Sequence, residues 1–172
     1  MRLLHCADLH LDAAFKGLGE PVAQRRRQAL RQTLSNIVSL AKKLEVDALT
    51  IGGDLYEDGR VSQDTARFLA EQLGDLPFSV LISPGNHDFW HRGSLYASND
   101  WPTNVHIFET SEFTPFEFAG YRVFGVAHQK PKGTGNPLQG VRVPDGLPAL
   151  ALFHGSEQEG MPFQEEGKED HA

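Results

Sequence analysis

An α/β fold is predicted by three features of the sequence. β-prone runs alternate with helical patterns over the first ninety residues. Four further strand candidates then follow with no helical pattern between them. The conspicuous polar residues stand just past the ends of strands, not inside them. The chain has 172 residues, 40% of them apolar, enough for one domain with a substantial core.

Residues 2–6 read as a first strand, followed by a loop to about Pro21. From Val22 to Glu45 the apolar residues Leu30, Leu34, Ile37, Val38, Ala41 and Leu44 fall at i, i+4, i+7, i+8, i+11 and i+14, the single stripe of an amphipathic helix. Arg25, Arg26, Arg27, Lys42 and Lys43 lie mostly off that stripe, as a solvated face does. The run "DALTIGGD" at 47–54 is short, β-prone and closed by glycines, which suits a buried parallel strand. Ser62 is placed to cap a second helix reaching Leu73, with Ala66, Leu69, Ala70 and Leu73 inward. "FSVLIS" at 78–83 is the third strand. "VHIFET", "TPFEF", "YRVFGVA" and "PALALFH" are strand candidates, with Ala119-Gly120 as a hairpin turn between the middle two. Residues 129–148, rich in glycine and proline, read as a loop, and the acidic stretch 155–172 as a tail without helix or strand pattern.

Sixteen basic against 23 acidic residues give a net charge of −7, which excludes nucleic-acid binding through an overall basic surface. A phosphate substrate stays open, because acidic side chains can hold cations that reverse the local sign. Cys6 is the only cysteine, so no internal disulfide can form. No apolar run approaches membrane-spanning length and the N-terminus lacks a signal-peptide pattern, so a cytoplasmic location is expected.

Asp8 and His10 follow the first strand, Asp54 the second, Asn86-His87-Asp88 the third, and His154 the last. Ligands of open α/β sheets bind outside the carboxyl ends of the strands, so four segments deliver these groups to one rim. Each has an ordinary alternative: Asp8 as a turn cap, Asp54 in an Asx-turn, Asn86 as a left-handed turn residue, the histidines as hydrogen-bonded structural groups. Together they form a mixed oxygen and imidazole set without thiolate, suited to manganese, iron or zinc. On extended chain Asp8 and His10 point to one side and are expected to share an ion. Asp54, with two oxygens, is the natural bridge to a second ion, which Asn86 and His154 would complete. Two such ions about 3.5–4 Å apart clamp a phosphate and activate water for in-line attack. His128 ends a strand near the same rim and is read as structural.

"ADLHLD", "GGDLYED", "PGNHD" and "FHG" resemble, in order and spacing, the motifs of calcineurin-like metallophosphoesterases. "LLHCADLHLD", "GDLYEDGRVS" and "SPGNHD" are most similar to the SbcD-type nuclease subunit of bacterial double-strand-break repair. The resemblance implies a four-layer αββα sandwich with a two-metal centre, usually manganese. It implies Asp8 and His10 on one ion, Asp54 bridging, and Asn86 and His154 on the other. His87 would contact the scissile phosphate as transition-state stabiliser or general acid, and Asp88 would orient the His87 ring. DNA is the implied substrate, with Arg60, Arg92 and Lys130 meeting phosphates, an SMC-like ATPase of the SbcC type as partner, and a homodimer as a further implication. The family's closing G-H-x-H motif is missing: after His154 the only histidine is His171. The expectation is therefore a domain, 1–172, shortened at its C-terminus, with each ion lacking a ligand and occupancy partial. A phosphoesterase of smaller substrates and a non-catalytic binding domain are the alternative functions.

Overall fold

The computed structural model describes residues 1–132, 136–143 and 145–155. Four strands, β1 (Leu3–Cys6), β2 (Ala48–Ile51), β3 (Ser79–Ile82) and β4 (Val105–Ile107), form a parallel sheet in the order β1-β2-β3-β4. Helices α1 (Glu20–Lys43) and α2 (Gln63–Gly74) make the crossovers, and a short α3 (Leu95–Ser98) precedes β4. A second sheet holds β5 (Thr114–Phe118), β6 (Tyr121–Gly125) and β7 (Ala149–Leu152); β5 and β6 pair antiparallel, β6 and β7 parallel. The expected mixed α/β arrangement of two sheets with flanking helices is what forms.

Strand β2 is buried along its whole length, as a central parallel strand covered on both faces must be. Leu49, Ile51, Val80 and Ile82 pack with Leu34 and Val38 of α1 and Leu69 and Leu73 of α2. On the other face Leu81 and Phe108 meet Val123 and Leu152 of the second sheet, with Phe116 and Phe118 at the margin. Each such fully buried side chain contributes about 1.5–3 kcal/mol. Three layers are thus present among the described residues; the second helical layer of the four-layer expectation is not among them.

The boundaries differ from the sequence expectation for local reasons. Helix α1 starts at Glu20, two residues early, because Pro21 occupies its first turn, where a missing N–H costs nothing. Ser62 caps α2 as expected, its Oγ accepting from the Thr65 N–H at 3.1 Å. Ala119 (φ 47°) and Gly120 (φ 78°) turn the β5–β6 hairpin. Every parallel strand is shorter than its apolar run, because the chain leaves the sheet at the residues that build the rim. The acidic stretch beyond Gly155, His171 included, lies outside the described residues. Among those described, no helix is long and apolar enough to cross a membrane.

Candidate metal centre

Past their last ladder residues, β1 and β2 continue side by side as loops. Gly52 N–H donates to Cys6 O at 2.8 Å, Asp8 N–H to Gly53 O at 3.1 Å, His10 N–H to Asp54 O at 2.9 Å and Leu11 N–H to Leu55 O at 3.0 Å. The pairing closes at an isolated bridge between Leu11 and Tyr56, both fully buried. Asp8 and His10 are therefore pinned against Asp54 by main-chain bonds. The backbone strain is concentrated here: Asp8 (φ 57°), His10 (φ 46°) and Asp54 (φ 53°) are all left-handed, a conformation Asp and His tolerate better than most residues.

The β3 loop is tied to the same place. His87 N–H donates to Asp54 Oδ1 at 3.0 Å, and Asp58 N–H to His87 O at 3.0 Å. Gly85 is required by close approach: a Cβ there would lie 2.2 Å from Asp54 Oδ1. From the second sheet, His154 Nδ1–H donates to Gly52 O at 2.8 Å, which turns Nε2 inward to 3.3 Å from Asp54 Oδ2. His128 Nε2 in turn donates to the His154 carbonyl at 3.1 Å, the structural role read from sequence.

Asp54 is the hub. It is 3% exposed, its Oδ1 is spent on His87 N–H, and its Oδ2 faces His154 Nε2 and, at 3.7 Å, His10 Nε2. Burial works to raise its carboxyl, but the His154 hydrogen bond, the His87 N–H and the two nearby imidazoles bring it below the usual range. The Asp54 hydrogen bond, against the cost of burial, raises His154 to about 9.

Two groups of donor atoms, each within 4.8 Å of one another, result: Asp8, Asp54 and His154, and His10, Glu57 and His87. Each is large enough to hold a divalent ion, and the mixed carboxylate and imidazole chemistry fits one. The half-buried Asn86 amide has no hydrogen-bond partner among the described residues, so its oxygen is free to serve as a further ligand. The donor set fits the dinuclear centre expected from sequence.

Two expectations are corrected. Asp8 and His10 do not lie on extended chain, both backbones being left-handed, and they fall in different groups, Asp8 with Asp54 and His154, His10 with Glu57 and His87. Asp88 does not touch the His87 ring. Fully buried, its Oδ1 accepts from Gly85 N–H (2.6 Å) and Asp54 N–H (3.0 Å), and its Oδ2 from Leu55 N–H (2.7 Å) and Tyr96 O–H (2.6 Å). Asp88 thus joins the β2 and β3 loops. The carboxylate on His87 is Glu57, whose Oε2 is 3.2 Å from His87 Nδ1 and whose Oε1 is 2.8 Å from His10 Nδ1. The His10 and His87 rings meet edge to face at 4.8 Å. Glu57 escaped the sequence reading, although it stands three residues after Asp54 in "GGDLYED". Leu55 and Tyr56, both fully buried, carry the chain through the core, and Glu57 is where it returns to the rim.

A family model described as calcineurin-like phosphoesterase matches residues 1–166. The chain is 32% identical over 117 residues to the "Uncharacterized metallophosphoesterase YhaO" of Bacillus subtilis, covering 64% of this chain and 28% of that protein. It is 30% identical over 95 residues to the "DNA double-strand break repair protein Mre11" of Methanopyrus kandleri, covering 54% of this chain and 20% of that protein. Among solved structures it is similar to the Pseudomonas putida nuclease MPE, with a TM-score of 0.44 and 17% identity, covering 87% of this chain and 60% of that one. The matched segments therefore span less than a third of the two relatives.

Proposed function

The chain belongs to the calcineurin-like phosphoesterases, and on that premise we propose that it is a metal-dependent phosphodiesterase that cleaves DNA. The observation that carries the reading is the buried Asp54 carboxylate, with His154 Nε2 at 3.3 Å and His10 Nε2 at 3.7 Å and Asp8 in the same donor group. In this reading Asp54 joins two divalent ions, one held with Asp8 and His154 and the other with His10, and Asn86 is a further ligand; manganese is the first to test. Such ions supply Lewis acidity to the phosphate and acidify the attacking water.

The chain's own contribution is positioning and proton handling. His87 Nδ1 is engaged by Glu57, so Nε2 of its 43% exposed side chain is the free nitrogen that meets substrate. A proton on Nε2 stabilises charge on the phosphate and passes to the leaving oxygen as the ester P–O bond breaks. Glu57 fixes the tautomer and orientation of both His10 and His87, as carboxylates behind metal-site histidines do. DNA as substrate draws on the motif resemblance and on the repair protein among the relatives. An SMC-like ATPase partner and a homodimer belong to the same reading, on the motif resemblance alone.

The test is manganese-dependent cleavage of linear and hairpin DNA, abolished by Asp54→Ala and by His87→Ala. The net charge of −7 favours a second reading, a phosphoesterase of small substrates. Hydrolysis of bis-p-nitrophenyl phosphate with no action on DNA would select it.

A further inference from the structure

Beyond Asp88 the chain runs on as Phe89-Trp90-His91-Arg92, none of which belongs to the donor groups of the metal centre. The segment alternates. Asp88 is fully buried and Trp90 packs against the main core, whereas His87 is exposed and Phe89 and His91 are half-buried. Phe89, a large apolar ring, belongs to neither apolar cluster of the core. It lies against the His91 ring with centroids 4.9 Å apart and planes 32° apart.

His91 is held at both nitrogens. Nε2–H donates to Asp58 Oδ2 at 3.1 Å, and Nδ1 accepts from Gly93 N–H at 3.2 Å. Its side chain is nevertheless 38% exposed. The consecutive acids Glu57 and Asp58 therefore grip His87 and His91 respectively, and Asp58 N–H binds the His87 carbonyl. The two rings are fixed in position relative to the residue proposed to meet the phosphate. The Cα atoms of His87 and Phe89 can be at most about 7 Å apart, within reach of the base attached to that phosphate. Arg60, two residues after Asp58, and Arg92, next to His91, are both exposed and without an ion-pair partner among the described residues, and supply positive charge.

Pre-organised aromatic rings two and four residues from a phosphate-contacting His87, with the Arg92 guanidinium next in the chain, are the equipment for stacking an unpaired nucleobase. We propose that Phe89 and His91 form a stacking platform for an unpaired base adjoining the scissile phosphate, so that the site selects single-stranded or frayed DNA. The inference rests on the nuclease reading above. Base pairing within a duplex would keep the base from the platform, whereas a single strand can turn it outward.

The test uses the whole chain with manganese and a single-stranded oligonucleotide carrying an abasic residue beside one mapped cleavage position. Stacking of this kind predicts that the wild type cleaves beside an intact base roughly 5- to 100-fold faster than beside the abasic residue. Phe89→Leu should bring that ratio close to one, and Phe89→Trp should restore it. Equal wild-type rates at intact and abasic positions would overturn the platform while leaving the nuclease reading standing. Hydrolysis of bis-p-nitrophenyl phosphate without cleavage of either oligonucleotide would overturn both.

Discussion

Replacing Asp88 with Asn separates the role assigned here from the orienting role that the sequence resemblance implied. The carboxylate accepts four hydrogen bonds, two on each oxygen, in a fully buried position. Burial raises its carboxyl, against the opposing pull of the Tyr96 hydroxyl and the Leu55 and Gly85 N–H groups. An Asn side chain keeps one accepting oxygen and turns an amide N–H toward two donors that then have no partner. A buried donor left unsatisfied costs about 1–3 kcal/mol, so two cost about 2–6 kcal/mol. That is a large share of the ~5–15 kcal/mol that holds a domain together. Urea unfolding of the metal-free protein should show the midpoint falling accordingly. Manganese affinity, read by calorimetry, should fall with it, because either the Asp54 or the Leu55 N–H, one on each oxygen, is released. Asp88→Asn with stability within about 0.5 kcal/mol of wild type, and with its effect confined to the pH–rate profile, would refute the reasoning and return Asp88 to His87.

The remaining predictions use the same two methods and steady-state kinetics. Tyr96→Phe removes one of the four donors and should cost about 1.5–3 kcal/mol by urea unfolding, less than Asp88→Asn. Gly85→Ala places a Cβ 2.2 Å from Asp54 Oδ1 and should displace that carboxylate, costing about 1–3 kcal/mol and most of the metal affinity. Glu57→Gln should lower turnover roughly 10- to 100-fold, the usual effect of losing a carboxylate behind a metal-site histidine. For pH, His154 is raised from 6.5 to about 9, so its stabilisation of the metal-free protein is complete below 6.5 and lost as pH rises through 9. Asp54 is lowered, so its contribution holds above its ordinary value of 3.8 and is lost as pH falls through the depressed one. Urea unfolding in chelator across this range should show both limbs, and His154→Ala should flatten the alkaline one. Because a ligating His154 must give up its proton, manganese affinity should increase with pH up to about 9. Calorimetry at pH 7.5 in buffers of different ionisation heat should then show close to one proton released.

The strands and the two long helices were legible because apolar periodicity of 2 and 3.6 is imposed by burial, which the sequence must encode locally. Helix α3, four residues long, carries no such period and was missed. The early start of α1 was readable from Pro21, a signal that a stripe of apolar residues does not contain. At the site, the position of each strand end was legible, and the loops past those ends bring Asp8, His10, Asp54, His87 and His154 into the two donor groups. What could not be read was the path of the loops. Alternation along an extended chain was assumed for Asp8 and His10, yet both residues are left-handed, which breaks it. For the same reason Asp88, adjacent in sequence to His87, turns into the core, while Glu57, thirty residues away, meets the ring. Contacts across loops depend on main-chain bonds between segments, and those have no sequence period.

The central claim is that Asp54 joins two ions. Electron paramagnetic resonance of the protein at saturating manganese tests it most directly, because a shared carboxylate couples the two spins. The account predicts two ions per chain and an exchange-coupled spectrum, replaced in Asp54→Ala by uncoupled manganese. A single bound ion, or two ions without coupling in the wild type, would contradict it.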